Sequence, residues 1–246
     1  MTTESIFTII SNEKIAKNTY KMVLSGTAEG CAPGKFVNIQ IDGFFLRRPI
    51  SVCDQEGDKL TLVYKAVGKG TEKMAAMTAG EKLNVLAYLG NGYDLSKSGD
   101  APLLIGGGVG VPPLYMCARK LRSEGKNVTV ILGFNTAEEV FYKDEFEALG
   151  ARVLVATADG SVGTKGFVTD AMKEAGEYSY FYTCGPEPML KAVYKATVTD
   201  GQFSFEERMG CGFGACMGCS CKTVTGNKRI CKEGPVLTKE DIIWEA

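Results

Sequence analysis

The chain has 246 residues, of which 45% are hydrophobic and 23% are charged, and its formal net charge is −1. This composition allows cores for two domains of ordinary size and gives no electrostatic reason to expect binding to nucleic acid or to an anionic membrane. The chain contains no histidine, which excludes a Rieske centre and the histidine-dependent hydrolase triads. We therefore expect bound cofactors to carry the chemistry.

The first hundred residues contain short β-rich stretches separated by Gly, Pro, Asn and Asp. Short strands with regular turn signals predict an antiparallel barrel or sandwich. One helix is predicted in this part of the chain, at residues 70–77. The predicted strands are residues 5–10, 19–25, 35–41, 49–53, 59–65 and 82–89.

From about residue 100 onward, predicted strands alternate with helices. This order predicts a parallel, doubly wound α/β sheet. Because residues 91–100 are rich in Gly, Ser, Asp and Asn, we predict a β-barrel domain at 1–98, an α/β domain at 99–201 and a small C-terminal segment at 202–246. The predicted strands are 102–105, 127–133, 152–156 and 178–183, and the predicted helices are 113–124, 143–149, 167–175 and 187–199.

Two turns in the α/β region have the character of a dinucleotide site. The turn at residues 105–113 follows a strand, opens a helix and contains Gly108 and Gly110 in a G-x-G-x-x-P pattern, which suits a pyrophosphate. Cys184 follows another strand of the same sheet and is predicted to lie near a nicotinamide, although a buried thiol without this role is the alternative. The lack of Arg or Lys after the second strand favours NAD over NADP.

Two places in the barrel region suit phosphate groups. Arg47 and Arg48 precede a strand, and arginine can recognise phosphate through two hydrogen bonds, although a solvated surface pair is the ordinary alternative. Residues 67–71 open the predicted helix and offer a second place for an anion, at a helix N-terminus. Two such sites on one barrel are what the pyrophosphate of FAD would require.

Four cysteines form the most specific motif of the chain. Cys211, Cys216 and Cys219 have the spacing C-x4-C-x2-C, and Cys231 follows, which is the plant-type spacing of a [2Fe–2S] cluster. A four-cysteine zinc site more often consists of two C-x2–4-C pairs, and a disulfide framework is typical of small secreted chains. The spacing favours the cluster over both alternatives. The extra thiol of Cys221 is either a bystander or an alternative ligand.

The cysteine content also bears on the cellular compartment. The chain has nine cysteines, and we find neither a signal peptide nor a run of about 20 apolar residues that could span a membrane. Free thiols persist in a reducing compartment. We therefore expect a cytoplasmic location without a membrane anchor.

In this order, the motifs resemble those of the ferredoxin–NADP reductase superfamily. Within it, the chain most resembles the iron–sulfur, FAD-binding electron transfer subunits of NAD-dependent dihydroorotate dehydrogenase B, over essentially its whole length. The resemblance implies that the R-P-I-S motif at residues 48–51 holds FAD, with Arg48 on the pyrophosphate. The superfamily more often has an aromatic residue at the position of Ile50, and the group that covers the flavin is open, with Trp244 as one candidate. The FAD-binding residues implied in this way are Arg48, Pro49, Ile50, Ser51, Val63, Tyr64, Lys65, Gly70 and Thr71.

The resemblance also implies a function. The chain would be an oxidoreductase subunit that passes electrons between NAD(H) and an FMN-containing dihydroorotate dehydrogenase catalytic subunit, through FAD and a [2Fe–2S] cluster, in de novo pyrimidine biosynthesis. The pyrimidine chemistry would belong to the partner, so we predict no catalytic residue here, and the assembly would be a heterotetramer of two copies of each chain. The alternatives are a reductase subunit of another redox complex, of the transhydrogenase or hydrogenase type, and a zinc-binding module without redox activity.

Overall fold

The structure of the protein is a computed structural model, which describes residues 3–27 and 30–244. It contains a closed β-barrel, a seven-stranded sheet flanked by helices, and a two-stranded hairpin. The barrel and the α/β sheet confirm the predicted fold class. No helix in the described ranges is long and apolar enough to cross a membrane.

Six antiparallel strands and one helix form the N-terminal barrel. They are β1 (Thr3–Ala16), β2 (Thr19–Ser25), β3 (Phe36–Ile39), β4 (Arg48–Glu56), β5 (Lys59–Lys65), α1 (Lys69–Ala75) and β6 (Lys82–Leu89). The strand order is β1-β2-β5-β4-β3-β6, and β6 closes the barrel on β1. Strand β1 is longer than the predicted strand at 5–10, because it pairs with β6 at its start and with β2 at its end. Alternate side chains point into the barrel core, among them Leu60, Leu62 and Tyr64 of β5.

Strands and helices alternate in the α/β domain, and the C-terminal segment adds four further strands. The elements are β7 (Pro102–Gly107), α2 (Pro113–Ser123), β8 (Thr129–Phe134), α3 (Lys143–Ala148), β9 (Arg152–Thr157), β10 (Thr164–Lys165), α4 (Val168–Ala171), β11 (Tyr180–Cys184), α5 (Glu187–Ala196), β12 (Gly201–Ser204), β13 (Ser220–Thr223), β14 (Gly226–Arg229) and β15 (Val236–Thr238). The sheet order is β10-β9-β8-β7-β11-β12-β15, and its strands are parallel except β15. The chain order reverses between β7 and β11, which makes their carboxyl ends the topological switch point of the sheet.

Helices cover both faces of the sheet, which explains the continuous apolar runs in its strands. Leu104 of β7 packs with residues of α2 and α3 on one face, whereas Leu103 and Ile105 pack with residues of α4 and α5 on the other. The predicted helix at 187–199 ends at Ala196, because the β-branched run at 197–199 that follows is a poor helix former.

The C-terminal segment shares its core with the domains before it. Phe36 and Leu89 of the barrel form one buried cluster with Cys219, Cys231 and Leu237. The predicted boundary at residue 202 lies within β12, and β12 and β15 belong to the large sheet. The cysteine loop therefore lies against the outer wall of the barrel, whereas the hairpin β13–β14 contacts residues 241 and 242 near the C-terminus.

Ion pairs join the barrel to the α/β domain. Arg119 of α2 donates hydrogen bonds to Asp54 of β4, with an Nη2–Oδ1 distance of 2.6 Å and an Nε–Oδ1 distance of 3.1 Å. Asp54 is 8% exposed, and burial raises the pKa of its carboxyl group although Arg119 opposes the shift. A second ion pair joins Lys17 to Glu138 at 3.0 Å. These contacts set how the barrel faces the switch point of the sheet.

Candidate functional site

A cavity of ≈ 630 Å³ opens where the carboxyl ends of β7 and β11 meet. Open α/β sheets bind ligands at this point, because the connections that follow the two strands lead to opposite faces of the sheet and leave a crevice between them. The predicted residues Gly108 and Gly110 line the cavity. Gly108 has a φ of +52°, and among the described residues no heavy atom lies within 4 Å of its Cβ position. The glycine turn therefore leaves room for a ligand at the start of α2.

Gly110 and Cys184 are in direct contact. A Cβ atom on Gly110 would lie 2.2 Å from the carbonyl oxygen of Cys184, so this position has room only for glycine. The side chain of Cys184 is 1% exposed and lies behind the cavity wall. Burial, and then the carboxylate of Glu206, raise the pKa of the Cys184 thiol well above its usual value. Cys184 is therefore neutral at pH 7 and shapes the wall without contributing charge.

We expect Gly110→Ala to weaken the binding of NADH while FAD stays bound. The added methyl group must push the turn away from Cys184, and overpacking of this kind costs about 1–3 kcal/mol, or about 5- to 150-fold in the dissociation constant. Rapid-mixing measurements of flavin bleaching at increasing NADH concentrations would give this constant. Unchanged NADH affinity at an unchanged melting temperature would contradict this placement of the nucleotide.

Glu139 connects the loop after β8 to the barrel. Its carboxylate accepts a hydrogen bond from Asn135 Nδ2 at 2.9 Å and pairs with Lys65 Nζ at 3.1 Å, and all three residues line the cavity. The two residues directly after β8, Asn135 and Thr136, are not acidic. Phe134 is the last residue of β8, and Glu139 lies beyond it in the chain. The carboxylate of Glu139 nevertheless lies beside the end of that strand. Sequence spacing could not show this, because a short 3-10 helix brings Glu139 back towards the strand end.

Phe167 is another residue of the cavity wall that the sequence analysis assigned no role. Its side chain is 69% exposed, which is unusual for a large aromatic residue beside a cleft. An exposed ring in this place can stack on a planar base. The sequence predicts Phe167 as the first residue of a helix at 167–175, whereas α4 begins at Val168 and leaves the Phe167 ring exposed.

Arg48 lies against the start of α1. A Cβ atom on Gly70 would lie 2.2 Å from Arg48 Nε, so the glycine allows the guanidinium to reach this position. The guanidinium is also 4.9 Å from the centre of the Phe44 ring. No carboxylate in the described residues forms an ion pair with Arg48, which leaves its charge available to an anion. Arg48 and Gly70 thus form a cradle that suits a phosphate group.

Arg47 has a different environment from its neighbour. It donates hydrogen bonds to Glu4 Oε1 at 2.7 Å and Asn84 Oδ1 at 2.8 Å. The structure therefore gives different environments to two arginines that the sequence alone could not distinguish. Arg47 links strands of the barrel, whereas Arg48 donates to the carbonyl oxygen of Leu46 and has no carboxylate partner among the described residues.

The other predicted flavin-binding residues lie on neighbouring parts of the barrel. Ile50 packs towards the barrel core, whereas Thr71 Oγ1 accepts hydrogen bonds from the backbone of residues 67 and 68 at 3.0 and 3.2 Å. Pro49 and Ser51 alternate with Ile50 and so point to the outer face of β4. Of the three residues predicted on β5, Val63 and Tyr64 are 3% and 2% exposed, and Lys65 lines the cavity.

The four predicted cluster ligands fall into two pairs. The Sγ atoms of Cys219 and Cys231 are 3.2 Å apart, whereas the backbone N–H groups of Cys211 and Cys216 each point at the Sγ of the other at 3.5 Å. Within residues 3–27 and 30–244, no three His, Cys, Asp or Glu side chains converge on a position for a single metal ion. Because each iron of a two-iron cluster takes two protein ligands, the arrangement fits a [2Fe–2S] cluster better than one zinc ion.

Backbone amides surround the first pair of cysteines. The N–H of Ala215 donates to Cys211 Sγ at 3.2 Å. Burial raises the pKa of the Cys211 thiol, but hydrogen bonds from Cys216, Phe213 and Ala215 lower it by more, to about 6. The thiolate is the form that binds iron, and amide donors to sulfur stabilise such clusters. The donor set of this loop therefore fits the cluster.

Trp244, the candidate for covering the flavin, packs on the α/β domain. Its ring contacts the rings of Tyr194, Phe203 and Phe205, with centroid distances of 5.5, 5.7 and 5.5 Å. Tyr194 lies in α5, Phe203 lies in β12, and Phe205 directly follows β12. The structure thus places Trp244 on the α/β domain, where it packs against the end of the sheet.

Two family profiles match parts of this chain. Residues 206–243 match the iron–sulfur cluster binding domain of dihydroorotate dehydrogenase B, and residues 104–195 match the oxidoreductase NAD-binding domain. The electron transfer subunit of dihydroorotate dehydrogenase B (NAD(+)) from Fusobacterium nucleatum subsp. nucleatum is 46% identical, with 96% of each chain covered. The subunit of the same name from Geobacillus sp. is 44% identical, with 96% of this chain and 97% of the relative covered. The chain belongs to this family of electron transfer subunits.

Two solved structures of reductases are similar to this chain. The structure of an NADH-dependent reduced ferredoxin–NADP oxidoreductase, described for flavin-based electron bifurcation, is 29% identical and has a TM-score of 0.88, with 97% of this chain and 90% of that chain covered. An Amycolatopsis cytochrome P450 reductase is 24% identical with a TM-score of 0.70 over 79% of this chain and 65% of that chain, and it shows the fold alone. The comparisons confirm the predicted family, the fold class and the iron–sulfur and NAD-binding domains.

Proposed function

We propose that this chain passes electrons between NAD(H) and the FMN-containing catalytic subunit of a dihydroorotate dehydrogenase, in pyrimidine biosynthesis. The observation that carries the proposal is the position of two cofactor motifs on one wall of the barrel. The cysteine loop contacts β3 through Asn38, and Arg48 begins β4, the strand paired with β3. When bound, FAD would exchange two electrons as hydride with NAD(H), and the [2Fe–2S] cluster would carry them one at a time.

In this proposal, the residues of the chain bind, orient and shield the cofactors. Gly108 and Gly110 leave space for the NAD(H) pyrophosphate at the start of α2, and Cys184 closes the wall behind the nicotinamide. The Lys65–Glu139 pair joins the barrel to the proposed NAD(H) cleft at 3.1 Å, so that FAD held by the barrel and NAD(H) held at α2 would lie on either side of this cleft. The proposed FAD-binding residues are Arg48, Pro49, Ile50, Ser51, Val63, Tyr64, Lys65, Gly70 and Thr71, and the proposed iron ligands are Cys211, Cys216, Cys219 and Cys231.

The partner surface is proposed at the cysteine loop. Phe213 and Met217 alternate with the cysteines there and are 46% and 53% exposed. Exposed apolar side chains beside a redox centre suit a protein interface. We propose that the catalytic subunit carries FMN, that it performs the proton transfers of the pyrimidine, and that two copies of each chain form a heterotetramer. The nine free cysteines support a reducing compartment, the cytoplasm.

A second candidate is a reductase subunit of a flavin-based transhydrogenase. The structural match with a TM-score of 0.88 favours this alternative. The match at 46% identity over 96% of both chains favours the first candidate. In either candidate the proposed cofactor sites of this chain would serve electron transfer from NAD(H), so the partner protein distinguishes the two candidates.

Co-expression with a candidate FMN-containing dihydroorotate dehydrogenase subunit tests the proposed function. We expect dihydroorotate-dependent reduction of NAD+ in the purified complex, and no such activity in either chain alone. Each isolated chain, reconstituted with its cofactors, is the control. A chain that binds flavin and iron and reduces dyes with NADH, but never couples to dihydroorotate, would leave the transhydrogenase candidate.

A further inference from the structure

Asn38 connects the cysteine loop to the barrel wall. Its Nδ2 donates a hydrogen bond to the carbonyl oxygen of Cys211 at 3.4 Å, although the two residues are 173 positions apart in the sequence. Cys211 is the first of the proposed iron ligands. The contact is thus a direct link between a barrel strand and the backbone of the cluster site.

The position of Asn38 in β3 places it between the two proposed cofactor sites. Val37 and Ile39 point into the barrel core, so Asn38 points outwards on the same face as Phe36, which packs with the C-terminal segment. Asn38 is directly opposite Pro49 in the β3–β4 ladder. Residues paired in this way lie about 4.5–5.5 Å apart, so one side of Asn38 borders the cluster loop and the other the R-P-I-S strand.

The burial of Asn38 needs an explanation. The residue is 1% exposed, and its Oδ1 has no hydrogen-bond partner among the described residues. A buried acceptor without a partner costs folding free energy, and an aliphatic side chain of similar size would avoid this cost. An amide is useful at this position because it can hold the Cys211 carbonyl.

Gly212 completes the contact from the side of the loop. It has a φ of +78°, and a Cβ atom there would lie 2.3 Å from Asn38 Nδ2. The loop can therefore approach Asn38 only with glycine at this position. The two residues form one close contact between β3 and the cysteine loop, and each can be changed separately.

We propose that Asn38 is a positioning residue that anchors the cysteine loop to the β3–β4 wall and thereby sets the separation of the FAD and cluster sites. This inference rests on the proposed function. With both cofactors bound, the two electrons of a hydride taken from NADH would cross this contact one at a time to the cluster and pass on to the partner, and the proton of the hydride would go to water. Asn38 itself gains and loses nothing in these transfers.

The test compares Asn38→Leu and Gly212→Ala with the unchanged chain carrying both cofactors. We expect amide hydrogen exchange of residues 211–216 to accelerate about 2- to 12-fold, the effect of losing one neutral hydrogen bond. In rapid mixing with NADH, the flavin should be reduced at the normal rate and the cluster more slowly, and the EPR spectrum of the reduced cluster should broaden. Asn227→Leu, in the exposed hairpin, is the matched control and should change none of these readouts.

Normal hydrogen exchange and normal cluster reduction in both variants would overturn the role of Asn38. If Asn38→Leu does not fold, Gly212→Ala gives the same test from the loop. Failure of the proposed function has another signature, because NADH would then not reduce the flavin, or the partner would not accept electrons, in the unchanged chain. The exchange measurement on the loop still decides the role of Asn38 in that case.

Discussion

Cys216→Ser is expected to remove the visible spectrum of the iron–sulfur cluster while FAD stays bound and reducible by NADH. Cys216 is exposed and pairs with Cys211 in a loop outside the barrel, and the cradle of Arg48 and Gly70 belongs to other elements. The dihydroorotate-dependent reduction of NAD+ should fall to background, because electrons would lose the one-electron carrier. Iron content, EPR and anaerobic NADH titration of the purified variant measure these outcomes.

Cys221→Ser is the matched control for this prediction. Cys221 lies in the same segment, but Cys231 and not Cys221 is the thiol at 3.2 Å from Cys219. We expect Cys221→Ser to keep the cluster and the coupled activity. Loss of the cluster from Cys221→Ser with retention in Cys216→Ser would reverse the ligand assignment. Joint loss of FAD and cluster from Cys216→Ser would show that the two sites do not form independently.

Arg48→Ala is expected to weaken the binding of FAD. A hydrogen bond to a charged group contributes about 1.5–3 kcal/mol, so the dissociation constant should rise about 10- to 150-fold. The variant should therefore lose flavin during gel filtration and regain it when FAD is added. Fluorescence titration of the flavin-free protein with FAD measures the change.

Arg47→Ala is the matched control for Arg48→Ala. It removes an arginine beside β4 that is not proposed to contact phosphate. Arg47 pairs with Glu4 and Asn84, so its loss should lower the melting temperature and leave the affinity for FAD unchanged. Equal loss of FAD from both variants would mean that the strand, and not the Arg48 guanidinium, holds the flavin. Unchanged FAD affinity in Arg48→Ala would remove Arg48 from the site.

Most of the fold was predictable because its signals are local. Alternation of apolar residues over short stretches indicates half-buried strands, and strands alternating with helices indicate a parallel sheet. The prediction did not include β12 or β15, which have four and three residues. Strands of this length form only because a sheet edge is already present to pair with them, and no property of residues 201–204 or 236–238 alone shows that edge.

The candidate site was predicted from the same kind of local signal. The cysteine spacing and the glycine turns are short motifs in which neighbouring residues bind one ligand, so the chain order itself carries the signal. The partner of Glu139 is Lys65, on another domain, and the partner of Asn38 is Cys211. Contacts between residues that are distant in the chain have no such signal in one sequence.

The sequence by itself determined the family, the order of the two domains and the kinds of ligand, since these depend on residue types at fixed local spacing. The tertiary structure decided which of Arg47 and Arg48 has a carboxylate partner, how the four cysteines pair, and that Asn38 joins the cysteine loop to the barrel. The physical reason is that charge compensation, burial and packing depend on which side chains meet in space. Those contacts form only when the barrel closes and the C-terminal segment docks against it.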